Sequence, residues 1–208
     1  MKRMLCYGDS NTWGYDPVSQ RRFDDQTRWT GILKTLLARE YTIIEEGLNG
    51  RTTVWEDPIE GYKNGREYLI PCLESQWPLD LVVMMLGTND LKRRFNLSAF
   101  DIAESVGALV QIAKQIGVRV NGTAPQVLLM APPPVGKLTV FADMFEGAEA
   151  KSRQLGNYYR RVADAQGCAF FDTSSVIVSS DVDGIHFDKS EHAKLAQAVA
   201  TKVRELYS

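Results

Sequence analysis

Leu5-Cys6-Tyr7-Gly8-Asp9-Ser10-Asn11-Thr12-Trp13-Gly14 joins two local signals. Its first half closes the apolar run Met4-Leu5-Cys6-Tyr7, which reads as a buried strand. Its second half opens on Gly8-Asp9-Ser10-Asn11, a cluster of turn formers and helix N-caps. A strand running straight into a sharp turn sets the Ser10 hydroxyl at the C-terminal edge of a sheet, where open α/β sheets bind ligands. Backbone N–H groups in the first turn of a helix are unpaired and can meet negative charge there. A plainer reading stands beside this one: Asp9 or Ser10 only caps the helix that follows.

Residues 41–44, 79–86, 127–131 and 168–171 read as further strands after residues 3–7. The run 79–86 is nearly all apolar, as a parallel strand buried on both faces requires. Helical spacing predicts helices over 29–40, 66–77, 98–116, 151–166 and 190–206, the second interrupted or kinked near Pro71. Strands alternating with helices predict an α/β fold: a three-layer α/β/α sandwich around a five-stranded parallel sheet in flavodoxin-like order. No repeat, low-complexity tract or linker divides the chain, so one domain over 1–208 is expected.

The 208 residues are 44% hydrophobic and 24% charged, a balance that suits a packed core. A net charge of −2 gives no long-range attraction for nucleic acid or an anionic membrane surface. The apolar run 79–86 is far too short to span a bilayer, and the N-terminus has no apolar leader segment, so a cytoplasmic location is expected. Cys6, Cys72 and Cys168 form an odd set without CxxC or His-rich spacing, which supports neither a disulfide framework nor a metal site. No GxGxxG or GxxxxGK[ST] follows a strand, so no cofactor is expected and a nucleotide-binding module is disfavoured. A silent interaction protein is the other rival class.

Four segments fall after successive strands or in the last loop: residues 8–11, 47–51, 87–90 and 183–186. In this architecture all four converge on one rim, bringing a hydroxyl, a base, an acid and neutral hydrogen-bond donors. Those are the parts of acyl transfer. The base has two candidates. His192 lies within the last helix and reads as a partly exposed helical residue. His186 lies three residues after Asp183, with Gly184 between them to permit a tight turn, so the carboxylate can bond one ring nitrogen while the other faces outward.

These residues resemble the SGNH or GDSL-like hydrolases. Gly8-Asp9-Ser10 is similar to the family's nucleophile block, Gly50 to its second-block glycine, Gly87-Thr88-Asn89-Asp90 to its GxND block and Asp183-Gly184-Ile185-His186 to its DxxH block, in family order. A closer resemblance, to the bacterial arylesterase and acyltransferase branch, rests on residues 8–14, 45–48, 51–53, 86–90 and 182–187. Asn11 departs from the leucine in the GDSL name, which blurs the subfamily without touching a catalytic part. The resemblance implies a serine esterase for short acyl esters, with Ser10 as nucleophile, His186 as base and Asp183 as its orienting acid. It also implies an oxyanion hole of Ser10, Gly50 and Asn89. Read from their positions, Trp13, Tyr15, Ile185, Phe141 and Phe145 are the candidates for lining the substrate pocket. Asp9 and Asp90 are expected to support these loops. A carbohydrate or other O-acetyl esterase of the same fold is the alternative. The expected partner is a small-molecule ester, with possible acyl transfer to alcohols or peroxide.

The loops 52–62 and 135–148 carry Trp55, Tyr62, Phe141, Met144 and Phe145, more apolar surface than solvated loops show. They serve either as a lid or as a contact between copies. The resemblance favours a homo-oligomer.

Overall fold

The computed structural model describes residues 1–206. Five parallel strands form one sheet in the order β2-β1-β3-β4-β5: β1 (Lys2–Gly8), β2 (Tyr41–Gly47), β3 (Leu81–Met85), β4 (Gln126–Ala131) and β5 (Ala169–Asp172). This is the flavodoxin-like order. Strand direction of build reverses between β1 and β3, where Leu5 pairs with both Ile44 and Val82. The C-terminal ends flanking that reversal form the crevice in which such sheets bind ligands.

Residues alternating along each strand feed two cores. Leu5, Tyr7, Val82, Met84 and Leu129 face the layer of α3 (Gly65–Gln76), α4 (Ala99–Asn121) and α5 (Ala148–Gln166). Met4, Cys6, Leu81, Val83 and Leu128 face α2 (Trp29–Leu36) and α6 (Lys189–Glu205). Burial on both faces explains the unbroken apolar reading of β3. A short α1 (Ser10–Trp13) follows β1 directly.

Several boundaries differ from the sequence reading for identifiable reasons. Strand β2 runs on through Glu45, whose carboxylate accepts from Arg28 Nε and Nη2, each at 2.8 Å, and from Lys34 Nζ at 2.6 Å. Paired in this way, a charged residue sits in the strand without a bare buried charge. Helix α3 is unbroken through Pro71, which is exposed, while Leu69, Cys72 and Leu73 anchor the turn around it. Helix α4 opens on a capping box of Ser98 and Asp101 and continues past Gly117, where a Cβ would stand 2.5 Å from Pro125 Cδ and 2.8 Å from the Trp77 ring. Glycine there admits close packing instead of ending the helix.

Helix α6 carries the largest correction. His192 is fully buried, not partly exposed. Its Nδ1 accepts the Trp29 N–H at 3.3 Å, and its ring meets Phe23 and Phe187 edge-on at 5.3 and 5.6 Å. It is a core histidine tying α6 to the start of α2. No helix among the described residues is long and apolar enough to cross a membrane. All three cysteines are free.

Candidate active site

At the end of β1 the backbone must pass close to β3. A Cβ on Gly8 would stand 2.7 Å from the Met85 carbonyl oxygen and would also strike the Thr12 side chain, so glycine is required. The Asp9 carboxylate then accepts the Asn11 N–H at 2.9 Å and caps α1. With Asp9 as cap, Ser10 is free of that task, and its hydroxyl turns towards the last loop.

There His186 Nε2 lies 2.9 Å from Ser10 Oγ. His186 Nδ1 lies 2.6 Å from Asp183 Oδ2. The other Asp183 oxygen accepts the backbone N–H of Ile185 at 2.8 Å and of His186 at 2.9 Å. One carboxylate therefore shapes the turn and holds the ring. Burial pushes the Asp183 carboxyl up, but the bonds from His186 and the backbone outweigh it and hold the group below its ordinary value. An ionised Asp183 keeps the proton on Nδ1, which leaves Nε2 as the acceptor for the Ser10 hydroxyl.

The donors for a developing oxyanion come from neighbouring loops. Asn89 begins the turn after β3, and its Nδ2 donates one hydrogen to the Arg51 carbonyl at 3.1 Å. The second amide hydrogen remains for the pocket, which Asn89 lines together with Ser10 and Gly50. Gly50 has φ +81°, and a Cβ there would collide with Glu60 Oε2. Arg51 ties these loops to β1 by donating to the Gly8 carbonyl at 2.9 Å, with its guanidinium over the Tyr7 ring at 4.2 Å.

Asp9 and Asp90 act as loop supports, as expected. Asp90 accepts the Thr53 N–H at 3.1 Å and the Thr53 hydroxyl. Burial raises each carboxyl to about 6, against the hydrogen bonds that favour the charged form.

The pocket over Ser10 measures about 150 Å³. Tyr15 stacks on His186 with ring centroids 4.1 Å apart, and Phe141 meets the same ring edge-on at 6.0 Å. Phe141 packs on the buried Phe145, and Ile185 completes this wall. Of the five residues expected to narrow the pocket, Trp13 does not line it. Its carbonyl accepts from Arg22 Nε at 2.8 Å, and the Arg22 guanidinium covers its ring at 5.4 Å. That partner holds Trp13 outside. Phe141, Met144 and Phe145 of the loop 135–148 line the pocket, whereas the loop 52–62 leaves Ile59 and Tyr62 exposed. Asn49, Glu60 and Lys92 also line the pocket, and sequence reasoning missed them. Asn49 and Lys92 sit one and three residues from named site residues, a signal that neighbourhood alone offered. Glu60 carried none. Among the described residues, no three His, Cys, Asp or Glu side chains gather to hold a metal ion.

Residues 6–194 match the family described as GDSL-like Lipase/Acylhydrolase. No curated protein sequence gives a significant match. The aryl esterase of M. smegmatis is 42% identical, with 99% of this chain and 100% of that one covered and a TM-score of 0.95. A carbohydrate acetylesterase from Sinorhizobium meliloti is 39% identical, with the same coverage and TM-score. A member of the lipolytic G-D-S-L family from Veillonella parvula, at 14% identity, 97% coverage of each chain and a TM-score of 0.70, shares the fold alone. A family match over most of the length, joined to full-length likeness to two esterases, makes this chain a carboxylic-ester hydrolase acting on small-molecule esters. It belongs to the GDSL-like lipase/acylhydrolase family.

Proposed function

We propose that the chain hydrolyses short-chain aryl and alkyl esters through an acyl-enzyme on Ser10. The observation that carries this reading is the hydrogen-bonded chain Ser10 Oγ–His186 Nε2–His186 Nδ1–Asp183 Oδ2 at the floor of one pocket. Ser10 Oγ attacks the ester carbonyl carbon while His186 Nε2 takes its proton, and Asp183 stabilises the imidazolium that forms. The carbonyl oxygen becomes an oxyanion facing the N–H groups of Ser10 and Gly50 and the free amide hydrogen of Asn89. As the tetrahedral centre collapses, His186 returns the proton to the departing alcohol oxygen. Water, deprotonated by His186, then releases the acid and restores Ser10.

A cavity of about 150 Å³ is the size that holds a single benzene ring, which supports small acyl groups. The exposed Ile59 and Tyr62 support self-association of the chain, read out as a solution mass above the 23.3 kDa of one copy.

Labelling by a fluorophosphonate tests the central step. One adduct forms on Ser10, and Ser10→Ala abolishes both labelling and phenyl acetate hydrolysis while circular dichroism is unchanged. Acetate release by a purified Ser10→Ala protein at more than about a hundredth of the parent rate refutes the nucleophile.

A further inference from the structure

His186 is gripped at both ring nitrogens, by Asp183 at Nδ1 and by Ser10 at Nε2. Ring nitrogens bond in the plane of the ring, so these two contacts set its heading and resist tilting out of that plane only weakly. Tyr15 supplies what they lack. Its ring lies on the imidazole with centroids 4.1 Å apart and 33° between planes, while Phe141 meets the imidazole at 68° and 6.0 Å.

Tyr15 is itself held. Helix α1 ends at Gly14, whose φ of +90° turns the chain back, and a Cβ there would stand 2.7 Å from the Arg28 Cβ. The N–H groups of Gly14 and Tyr15 then both donate to the Ser10 carbonyl, at 2.9 and 3.0 Å. Tyr15 faces Arg22 in an antiparallel bridge. The Asp16 N–H donates to the Arg21 carbonyl and the Phe23 N–H to the Gly14 carbonyl, each at 2.8 Å, and close that bridge on either side. The nucleophile and the ring that covers its base are therefore fixed to one short segment.

The cover suits a charge that comes and goes. An aromatic face is electrically negative and attracts a cation within about 6 Å of its centroid. The imidazole becomes such a cation when it takes the Ser10 proton. The attraction therefore grows between the bound ester and the transition state, which speeds the step instead of tightening binding. Burial, with the charge of Asp183, holds the Tyr15 phenol above its ordinary value, so the face that meets His186 is that of a neutral ring. Phenylalanine can replace such a face.

We propose that Tyr15 is a positioning residue of the reaction: its ring holds the His186 imidazole in line between Asp183 and Ser10 and stabilises the imidazolium formed when Ser10 attacks. The proposal rests on the Ser10 esterase reading.

Tyr15→Phe, Tyr15→Leu and Tyr15→pentafluorophenylalanine in the full-length protein test it, with phenyl acetate and methyl acetate as substrates. Phenylalanine keeps the negative face, leucine removes the ring, and the fluorinated ring keeps the shape while reversing the charge of the face. Tyr15→Phe is expected to stay within about twofold of the parent. The other two variants are each expected to lose roughly three- to thirtyfold in kcat and in kcat/KM alike. The loss should be the same on both esters, because His186 moves a proton in both half-reactions whatever the alcohol. If Tyr15→Leu fails to fold, the two ring-bearing variants decide alone. Equal rates for those two overturn the proposal and leave the esterase reading standing. So does a loss confined to KM or to phenyl acetate, which would make Tyr15 a substrate wall only, and so does a Tyr15→Phe protein as slow as Tyr15→Leu. Failure of the parent to hydrolyse either ester, or hydrolysis that survives Ser10→Ala, removes the esterase reading and the proposal together.

Discussion

Replacing His192 with asparagine should change how stability depends on pH while sparing the chemistry. In the folded protein His192 is fully buried between Phe23 and Phe187, accepts the Trp29 N–H, and has no partner for Nε2. Burial pulls its pKa from the ordinary 6.5 down to about 4. The unfolded chain therefore binds a proton between those values that the folded chain refuses. The stability this gives is complete above pH 6.5 and is lost as pH falls towards 4. Linkage sets the loss at about 2 kcal/mol between pH 7.5 and pH 5, equivalent to roughly 4–8 °C in melting temperature for a chain of this size. Asparagine offers an acceptor to Trp29 and cannot titrate. His192→Asn carries a fixed packing cost at every pH, but that cost should shrink by about 2 kcal/mol on going from pH 7.5 to pH 5. Urea unfolding of both proteins at pH 7.5, 6 and 5 reads the difference, in which Asp9, Asp90 and every other shared group cancel. Parallel stability curves would show that His192 takes up its proton inside the fold, and the account of a neutral core histidine would be wrong.

Two further outcomes test the chemistry. Asn89→Ala should lower kcat for phenyl acetate by roughly a hundred- to a thousandfold with a smaller change in KM, since its free amide hydrogen matters most once the carbonyl oxygen is charged. A rise in KM alone would make Asn89 a binding group only. In mostly aqueous buffer, vinyl acetate with benzyl alcohol should give measurable benzyl acetate if the apolar rings of Phe141 and Phe145 that line the pocket disfavour water around the acyl-enzyme. Acetate as sole product at every alcohol concentration would reject that effect of the apolar wall.

The parts of this fold that depend on neighbours in sequence were legible in advance. The strand-to-turn step at Gly8 is local, and so is the three-residue reach from Asp183 to His186, which one carboxylate closes with two backbone bonds and one ring bond. Parallel order follows from alternating elements and handed crossovers. What stayed hidden depends on partners distant along the chain. Periodicity places His192 on α6 but does not show that Trp29, 163 residues away, donates to it. Nothing around Glu60 announces a pocket residue, because the Asp57 turn and the Lys92 pairing bring it there across 32 residues. Trp13 looked available until Arg22 covered it. In the same way Glu45 reads as the end of a strand until Arg28 and Lys34 neutralise it.

Behind the reactive groups lies a set of ties whose energetics bear on the rate. Asp9 and Asp90 are both buried, near enough that the charge of Asp9 raises Asp90, and both sit at about 6. Keeping two such carboxylates at the sheet edge costs stability near neutral pH, since each is more easily ionised in the unfolded chain. The cost is tied to geometry. Asp9 fixes the turn that aims Ser10, and Asp90 holds Thr53, two residues beyond Arg51, whose carbonyl anchors the Asn89 amide. Arg51 closes the circuit back to Gly8 and lowers the Asp9 carboxyl through its own charge. The turn that carries Ser10 and the amide of Asn89, two of the donors proposed for the oxyanion, are thus fixed by partners other than the substrate. Donors held in place before the charge appears need no reorganisation when it does, which is where such sites gain most of their advantage over water.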